Sequence, residues 1–421
     1  MTAPAPAGGS SRLDKVSTLM LARVVYAFNW YNVGAVLPLI GTHLDATTPE
    51  LGIVVSSFLI GAAVFQLVAG FAVLRWGARN VAILALFLMG AFTTASAFSP
   101  NWIVLSVLRF GAGAGAAFFF APALSLVTSM YPTGSQGPII GVYNAGFSIG
   151  SGIGLLGGAF IGVVFGWPYA LLLGGIALLA CGVVAVGVLR PAPPRPTHRP
   201  IPELWRAALP ILRSRALWTL AIATAGLWAA YVLAAQYFVQ YSVTVHPSWS
   251  IAIAAGIPTV MILFEIPGGP IGGLLGERAR DMRRVLFVWG ALAGAMFFLI
   301  PFLGYLELFG LFAFLGFADG VLFAILYLLP IRFPETRGEH LTLGLAMLNA
   351  IQIFLGSALA LGFAFIADAY GYTVAWAFTG VIALLPLPLL IGFGRRHVGL
   401  AAPAIPTPVT GAAVPRPVRP E

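Results

Sequence analysis

Lysine and cysteine are almost missing from this 421-residue chain: Lys15 is the lone lysine and Cys181 the lone cysteine. A single cysteine within an apolar run excludes an intrachain disulfide and leaves no thiol cluster for a metal. His43, His198, His246, His340 and His397 all fall in gaps or tails, too far apart to suggest a metal cluster. Charge is scarce too, at 8% of residues against 60% hydrophobic, where a soluble domain carries about 25% charged residues. Such a composition belongs to an integral membrane protein. No Gly-x-x-x-x-Gly-Lys-Ser/Thr occurs, which excludes that nucleotide-binding motif, and no His-Glu-x-x-His or comparable cluster points to an intramembrane enzyme. A transporter-like receptor or sensor is a further class, but the tails at 1–15 and 394–421 are short and rich in Pro and Ala. We therefore expect neither enzyme activity nor a cofactor.

The charge that is present is arranged. Of the 22 Lys and Arg residues, 20 fall in alternate gaps of a hydrophobic pattern that crosses a membrane twelve times. These gaps hold Arg12 and Lys15, then Arg75 and Arg79, then the run from Arg190 to Arg215, Arg278 to Arg284, Arg332 and Arg337, and the tail from Arg395. The opposite gaps carry Asp45, Glu50, Glu307 and Asp368 and no basic residue. Basic residues near span ends stay on the cytoplasmic side, so both termini are expected inside. The formal charge of +9 is spread over those gaps, which accounts for it without nucleic acid.

A helix needs about 20 apolar residues to cross the hydrocarbon. The segments that meet the test are 16–40, 51–74, 79–98, 102–130, 138–165 and 167–189, then 217–242, 250–275, 284–303, 308–330, 341–366 and 373–393. The expected organisation is a disordered tail at 1–15, which lacks a signal-peptide pattern, a six-helix half at 16–189, a linker at 190–216, a second half at 217–393 and a disordered tail at 394–421. The linker opens Pro-rich, and Glu203 to Leu212 is expected to lie on the membrane surface as a short helix.

The halves repeat. At an offset of 205, Asn144-Ala145 matches Asn349-Ala350, Ala159-Phe160-Ile161 matches Ala364-Phe365-Ile366, and Gly166-Trp167 matches Gly371-Tyr372. The same offset pairs Tyr26 with Tyr231, Gly111 with Gly316 and Gly115 with Gly320. In the second spans the offset is 199, pairing Phe65-Gln66 with Phe264-Glu265. Parallel six-span repeats are a transporter architecture.

On these features the chain resembles the major facilitator superfamily of secondary transporters over roughly residues 16 to 393. The loop after the second span, with Gly70, Arg75, Gly77 and Arg79, is similar to the family's signature gating loop, except that Leu74 stands where the family usually has aspartate and Gly273 holds the equivalent place. Arg109-Phe-Gly-Ala-Gly113 looks like the family's Arg-x-x-x-Gly element. Gly150, Gly154, Gly157 and Gly158 resemble its exporter signature, with Leu155 where the proline belongs. The resemblance implies an all-helical fold of two pseudo-symmetric six-helix halves around a central cavity, working as a single chain by alternating access.

Four ionisable residues lie inside spans: Arg23, Arg109, Glu265 and Asp319. A charge at the bilayer centre costs about 2.5 to 3.5 kcal/mol even on the mild insertion scale, so such residues usually mark function. Arginine cannot discharge itself and must find an anion, which makes Arg109 the first candidate to anchor a substrate, against a structural bond to backbone carbonyls. Arg23 shares a stripe with Tyr26 and Trp30. In the family the first span lines the cavity, whereas the bland reading of Arg23 is snorkelling to the interface.

Asp319, between Gly316 and Gly320, is the expected proton-coupling residue, against a static pair with an arginine. Glu265 precedes Pro267 to Pro270, a run that disturbs regular helix. It is a second proton site, a partner of Arg23 or a residue near the inner mouth. Asn29, Asn32, Gln66, Asn144, Ser148, Tyr231, Gln236, Asn349 and Gln352 complete the cavity candidates, each with an interhelical hydrogen bond as the commoner role. By depth, Arg109 sits about 10 Å from the outer end of its span and Asp319 about 16 Å, with Glu265 toward the cytoplasm.

The sequence thus reads as a multi-pass transporter of the cell membrane, working by proton-coupled symport of a small organic carboxylate, with proton-driven efflux of lipophilic or cationic compounds as the alternative.

Overall fold

A computed structural model describes residues 11–132, 136–189, 209–279, 281–333, 336 and 340–392. Thirteen helices are used below: α1 (Arg12–Leu44), α2 (Thr48–Ser96), α3 (Trp102–Ala117), α4 (Phe120–Ser129), α5 (Gln136–Phe165), α6 (Trp167–Val188), α7 (Arg215–Val245), α8 (Ile251–Arg278), α9 (Met282–Met296), α10 (Tyr305–Leu328), α11 (His340–Tyr370), α12 (Tyr372–Leu384) and α13 (Leu389–Gly392). Twelve stretches among them are long and apolar enough to cross a membrane. Their outward rings and aliphatic side chains, such as Phe160, Val163, Phe302 and Ile391, stay exposed, as lipid rather than water would require.

Helix starts follow the local chemistry. The first N–H groups of a helix have no partner within it, and a side-chain acceptor just before the helix supplies one. Ser11 and Asp14 form a reciprocal capping box, with Asp14 N–H donating to Ser11 Oγ at 3.2 Å and Ser11 N–H to Asp14 Oδ2 at 2.6 Å. This starts α1 at Arg12, four residues inside the expected disordered tail; residues 1–10 of that tail lie outside the described residues. Asn101, Ser214 and Ser250 each accept one backbone N–H and so cap α3, α7 and α8. Asp281 caps α9 and also binds Arg283 Nε at 2.9 Å. Burial pushes its carboxyl up, but the hydrogen bonds from Arg283 and the charges of Arg283 and Arg284 outweigh that and hold it below the usual range.

Several expected spans are modified. The second and third run on as one element, α2, broken only at Gly77 with φ 79° and ψ 152°, a left-sided conformation that glycine adopts without strain. The fourth is split between α3 and α4 at Phe118–Phe119. Helix α8, by contrast, runs unbroken through Pro258, Pro267 and Pro270, so the expected disturbance near Glu265 does not interrupt it. Of the 190–216 linker, residues 190–208 lie outside the described set, and 209–212 are helical. The C-terminal tail from 394 also lies outside it.

The halves pack alike. α1 lies on α5 and α7 on α11; α2 lies on α3 and α8 on α10. Across the middle, α2 meets α11, its mate α8 meets α5, and α1 meets α7. Close approach depends on glycine: a Cβ at Gly150 would strike the Val24 carbonyl, and one at Gly316 or Gly320 the carbonyl of Met261 or Glu265.

Candidate functional site

On α1, Arg23, Tyr26 and Trp30 fall on one face by their spacing of three and four residues, and all three are buried. The Arg23 guanidinium is ringed by Phe147 at 4.4 Å, Phe120 at 4.7 Å, Tyr143 at 4.8 Å and Tyr26 at 5.2 Å. It does not snorkel to the interface, since Arg23 is 5% exposed. It forms no ion pair with Glu265 either, among the described residues. Aromatic faces offer a cation an electrostatic partner where no carboxylate is at hand.

Arg109, on α3, is 1% exposed. Its guanidinium lies 4.3 Å from the Phe58 ring centroid, and its Nε and Nη1 are buried without a hydrogen-bond acceptor. Among the described residues no hydrogen bond joins Arg109 to a backbone carbonyl, the structural alternative for this residue. Phe58 meets Trp30 edge-on at 5.0 Å, Trp30 meets Phe147 at 6.1 Å and Tyr26 at 6.0 Å, and Tyr26 meets Phe119 at 4.9 Å. A row of rings therefore connects the two arginines. The Tyr26 hydroxyl is committed to the Ala116 carbonyl at 3.2 Å, and the Trp30 carbonyl accepts from Gln236 Nε2 of the other half at 2.8 Å.

The acidic residues come together. The carboxyls of Glu265 on α8 and Asp319 on α10 are within hydrogen-bonding reach, with the Tyr231 hydroxyl beside Glu265. Counted at about 1.5 Å per residue from Ile251 and from Tyr305, both stand about 21 Å below the helix ends that carry His246 and Glu307. They share one level, rather than the different depths expected. Neither has an arginine partner among the described residues, so the static-pair reading of Asp319 fails. The Ser148 hydroxyl of α5 donates to Glu265 Oε2 at 2.8 Å and ties the halves at this level. The glycine contacts of α8 with α10 explain how two carboxyls are brought side by side.

The remaining candidates divide. Gln352 donates to Thr224 Oγ1 at 2.8 Å, and the pair lines a shallow crevice with Trp228, Leu286, Phe323 and Asp319. Asn144 and Asn349 are half-buried, and no hydrogen bond joins them. Asn29 and Asn32 bond the Gly174 and Ala170 carbonyls of α6, a packing role. In the gating loop, Arg79 donates to the carbonyls of Leu189 and Val186 at the end of α6, Arg75 is exposed, and a side chain at Gly70 would meet open space. With Leu74 in the aspartate's place, Arg79 is held by helix-end carbonyls instead. Sequence reasoning missed Phe58, Phe119, Phe120, Tyr143 and Phe147, because a ring in an apolar span looks like any other core residue.

Comparison with known proteins follows the same lines. The family model described as Major Facilitator Superfamily matches residues 19–351. The hexuronate transporter of Bacillus subtilis is 27% identical over 165 residues, 38% of this chain and 38% of that protein. The 4-hydroxybenzoate transporter PcaK of Pseudomonas aeruginosa is 32% identical over 152 residues, 36% of this chain and 34% of that one. The match thus spans little more than a third of these curated relatives. A solved bacterial homolog of the human lysosomal transporter Spinster, in an inward-facing and occupied conformation, superposes with a TM-score of 0.71 at 17% identity, covering 90% of this chain and 96% of the other. At that identity the likeness is one of fold.

Proposed function

The chain belongs to the major facilitator superfamily, as a multi-pass membrane transporter rather than an enzyme, and from that premise we propose that it carries a small organic carboxylate together with protons. The observation that carries this reading is Arg109, a buried guanidinium with two nitrogens that no protein acceptor satisfies. A buried cation without a partner is costly, and a bound carboxylate supplies the bidentate acceptor that guanidinium geometry fits. Hexuronate and 4-hydroxybenzoate, for which the two bacterial relatives are named, are organic anions, which supports the same class.

Proton coupling rests on Asp319 and Glu265. Two adjacent carboxylates repel in low dielectric, and one proton between them removes the repulsion. The pair is then a proton carrier at mid-membrane, reached from alternate sides as the halves rock. Ser148 links that proton to movement, because protonating Glu265 makes it a weaker acceptor for the bond that joins the halves. The interhalf bonds of Ser148, of Gln236 to Trp30 and of Ser56 to the Ser357 carbonyl lie at mid-helix or nearer the acidic ends, which supports a state sealed on that side. The positive charge at the other helix ends supports placing those ends in the cytoplasm, and the cell membrane is the expected location.

Uptake of labelled carboxylates into proteoliposomes with an imposed proton gradient tests the reading. Accumulation that collapses with a protonophore is the expected result; accumulation indifferent to the gradient removes proton coupling, and transport only of cations removes the carboxylate.

A further inference from the structure

We propose that the halves also close at their basic ends, along two helix seams that stand apart in this structure: α5 against α8 at Gly141 and Gly273, and α2 against α11 at Gly70 and Leu343. The inference rests on the rocking of the halves invoked above, and not on the identity of the solute or on the proton.

Two bonds set the register of these seams. Ser148 of α5 meets Glu265 of α8, and Ser56 of α2 donates to the Ser357 carbonyl of α11 at 3.1 Å. Toward the acidic ends both seams are filled. A Cβ at Gly152 would stand 3.5 Å from Leu263 and Thr259, and one at Gly52 would stand 2.5 Å from the Ala364 Cβ. Residue numbers therefore rise on one helix as they fall on its partner, so each pair is antiparallel.

Toward the basic ends the same register runs into open space. Gly141 lies seven residues before Ser148, about two turns, and shares its face. The matching step from Glu265 reaches Gly272, which is packed on Val321 of α10, and its neighbour Gly273. Gly273 also stands fourteen residues, about four turns, beyond Thr259, on the face that meets Gly152. On the other seam, fourteen residues separate Ser56 from Gly70 and Leu343 from Ser357. A Cβ at Gly70, Gly141 or Gly273 would have nothing within 4 Å.

The three glycines share a level, as a seal requires. At about 1.5 Å per residue they lie roughly 33–36 Å from the acidic ends of α2, α5 and α8. Glycine lets backbones approach with no side chain to displace. The closed acidic side uses the same device, since a Cβ at Gly34 of α1 would fall 2.5 Å from Gln236 Oε1 and 2.9 Å from the Gln236 Cα and carbonyl oxygen on α7. Packed contacts of this kind switch between discrete arrangements, so filling one set empties the other.

The test is disulfide crosslinking of the full-length protein in membranes, with Cys181 replaced and the product read by peptide mass spectrometry. A disulfide requires Cα atoms roughly 4.4–6.8 Å apart. Gly34→Ala and, separately, Gly52→Leu wedge the acidic-side contacts open. Each should raise crosslinking of Gly141→Cys with Gly273→Cys by roughly threefold or more, as a shift in a two-state equilibrium, while lowering that of Ser56→Cys with Ser357→Cys. Gly141→Cys with Glu277→Cys, one turn out of register, should stay low throughout. Gly273→Leu, which this state has room for, should raise the Ser56–Ser357 crosslink. A Gly141–Gly273 crosslink that does not rise when the acidic-side pair opens, or a Gly141–Glu277 crosslink that rises as much, overturns the seam. So does an acidic-side pair that neither wedge opens. No solute is added, so failure of the carboxylate or proton reading would show in the uptake assay and leave these crosslinks unchanged.

Discussion

Ser148 on α5 donates its hydroxyl to Glu265 on α8 across 2.8 Å, and this bond crosses between the halves at the level where Asp319 meets the same carboxyl. A hydrogen bond to a charged group contributes about 1.5–3 kcal/mol, which is tenfold or more in an equilibrium. Ser148→Ala should therefore favour separation of the halves. Cysteines at Ser56 and Ser357, which pair the halves nearer the acidic end, with Cys181 replaced, should crosslink less in that variant. Unchanged crosslinking would show that the bond does not hold the halves together.

Arg109 should be the residue whose loss removes binding. Arg109→Ala takes away a charge-assisted, bidentate contact, so affinity for an anionic solute should fall by tenfold to a hundredfold or more. Arg109→Lys should recover little, because a point charge replaces the planar fork. Thermal unfolding measured in parallel separates this from a folding defect. A stable Arg109→Ala protein with wild-type affinity returns the residue to a structural role.

The carboxyl pair makes a different prediction. Asp319→Asn leaves no second charge against Glu265, so the pair no longer trades a proton in the same pH range. Substrate-for-substrate exchange should persist while gradient-driven accumulation is lost and the pH profile flattens. Accumulation with an unchanged pH profile in Asp319→Asn would refute its role and move it to Glu265, testable with Glu265→Gln.

Span number, the repeat and the ionisable residues were all legible, since each is written in hydropathy, offset or the mere presence of a charge in an apolar run. The meeting of Glu265 with Asp319 was not. It depends on α8 continuing unbroken through its prolines and on glycine contacts that set α8 against α10, neither of which has a one-dimensional signature. The aromatic surround of Arg23 was hidden for another reason: Phe120, Tyr143 and Phe147 lie about a hundred residues away in sequence.

The paired glycines Gly166 and Gly371 offer a check on the repeat itself. They match at the offset of 205, and both adopt positive φ, 98° and 84°, where they start α6 and α12. With ψ of 152° and 163° this is a region that only glycine occupies readily, and a side chain there costs about 1–3 kcal/mol. Alanine at either position should lower thermal stability by similar amounts, although nothing crowds Gly371 within 4 Å. A neutral Gly371→Ala would deny the strain argument.

Orientation is the last prediction. Arg12, Lys15, Arg75, Arg79 and Arg278 sit at one set of helix ends, and Asp45, Glu50, Glu307 and Asp368 at the other. Basic residues are retained on the cytoplasmic side during insertion, whereas acidic ones contribute little, so the first set fixes the direction. With Cys181 replaced, single cysteines at Asp45 and His246 should react with an impermeant reagent added to intact cells. Cysteines at Arg75 and Arg284 should react only after the membrane is opened. Asp45 and Arg75 lie on opposite sides of one crossing, so the two labels must disagree if the helix spans at all. Labelling of Arg75→Cys from outside, with Asp45→Cys protected, would invert the assigned orientation.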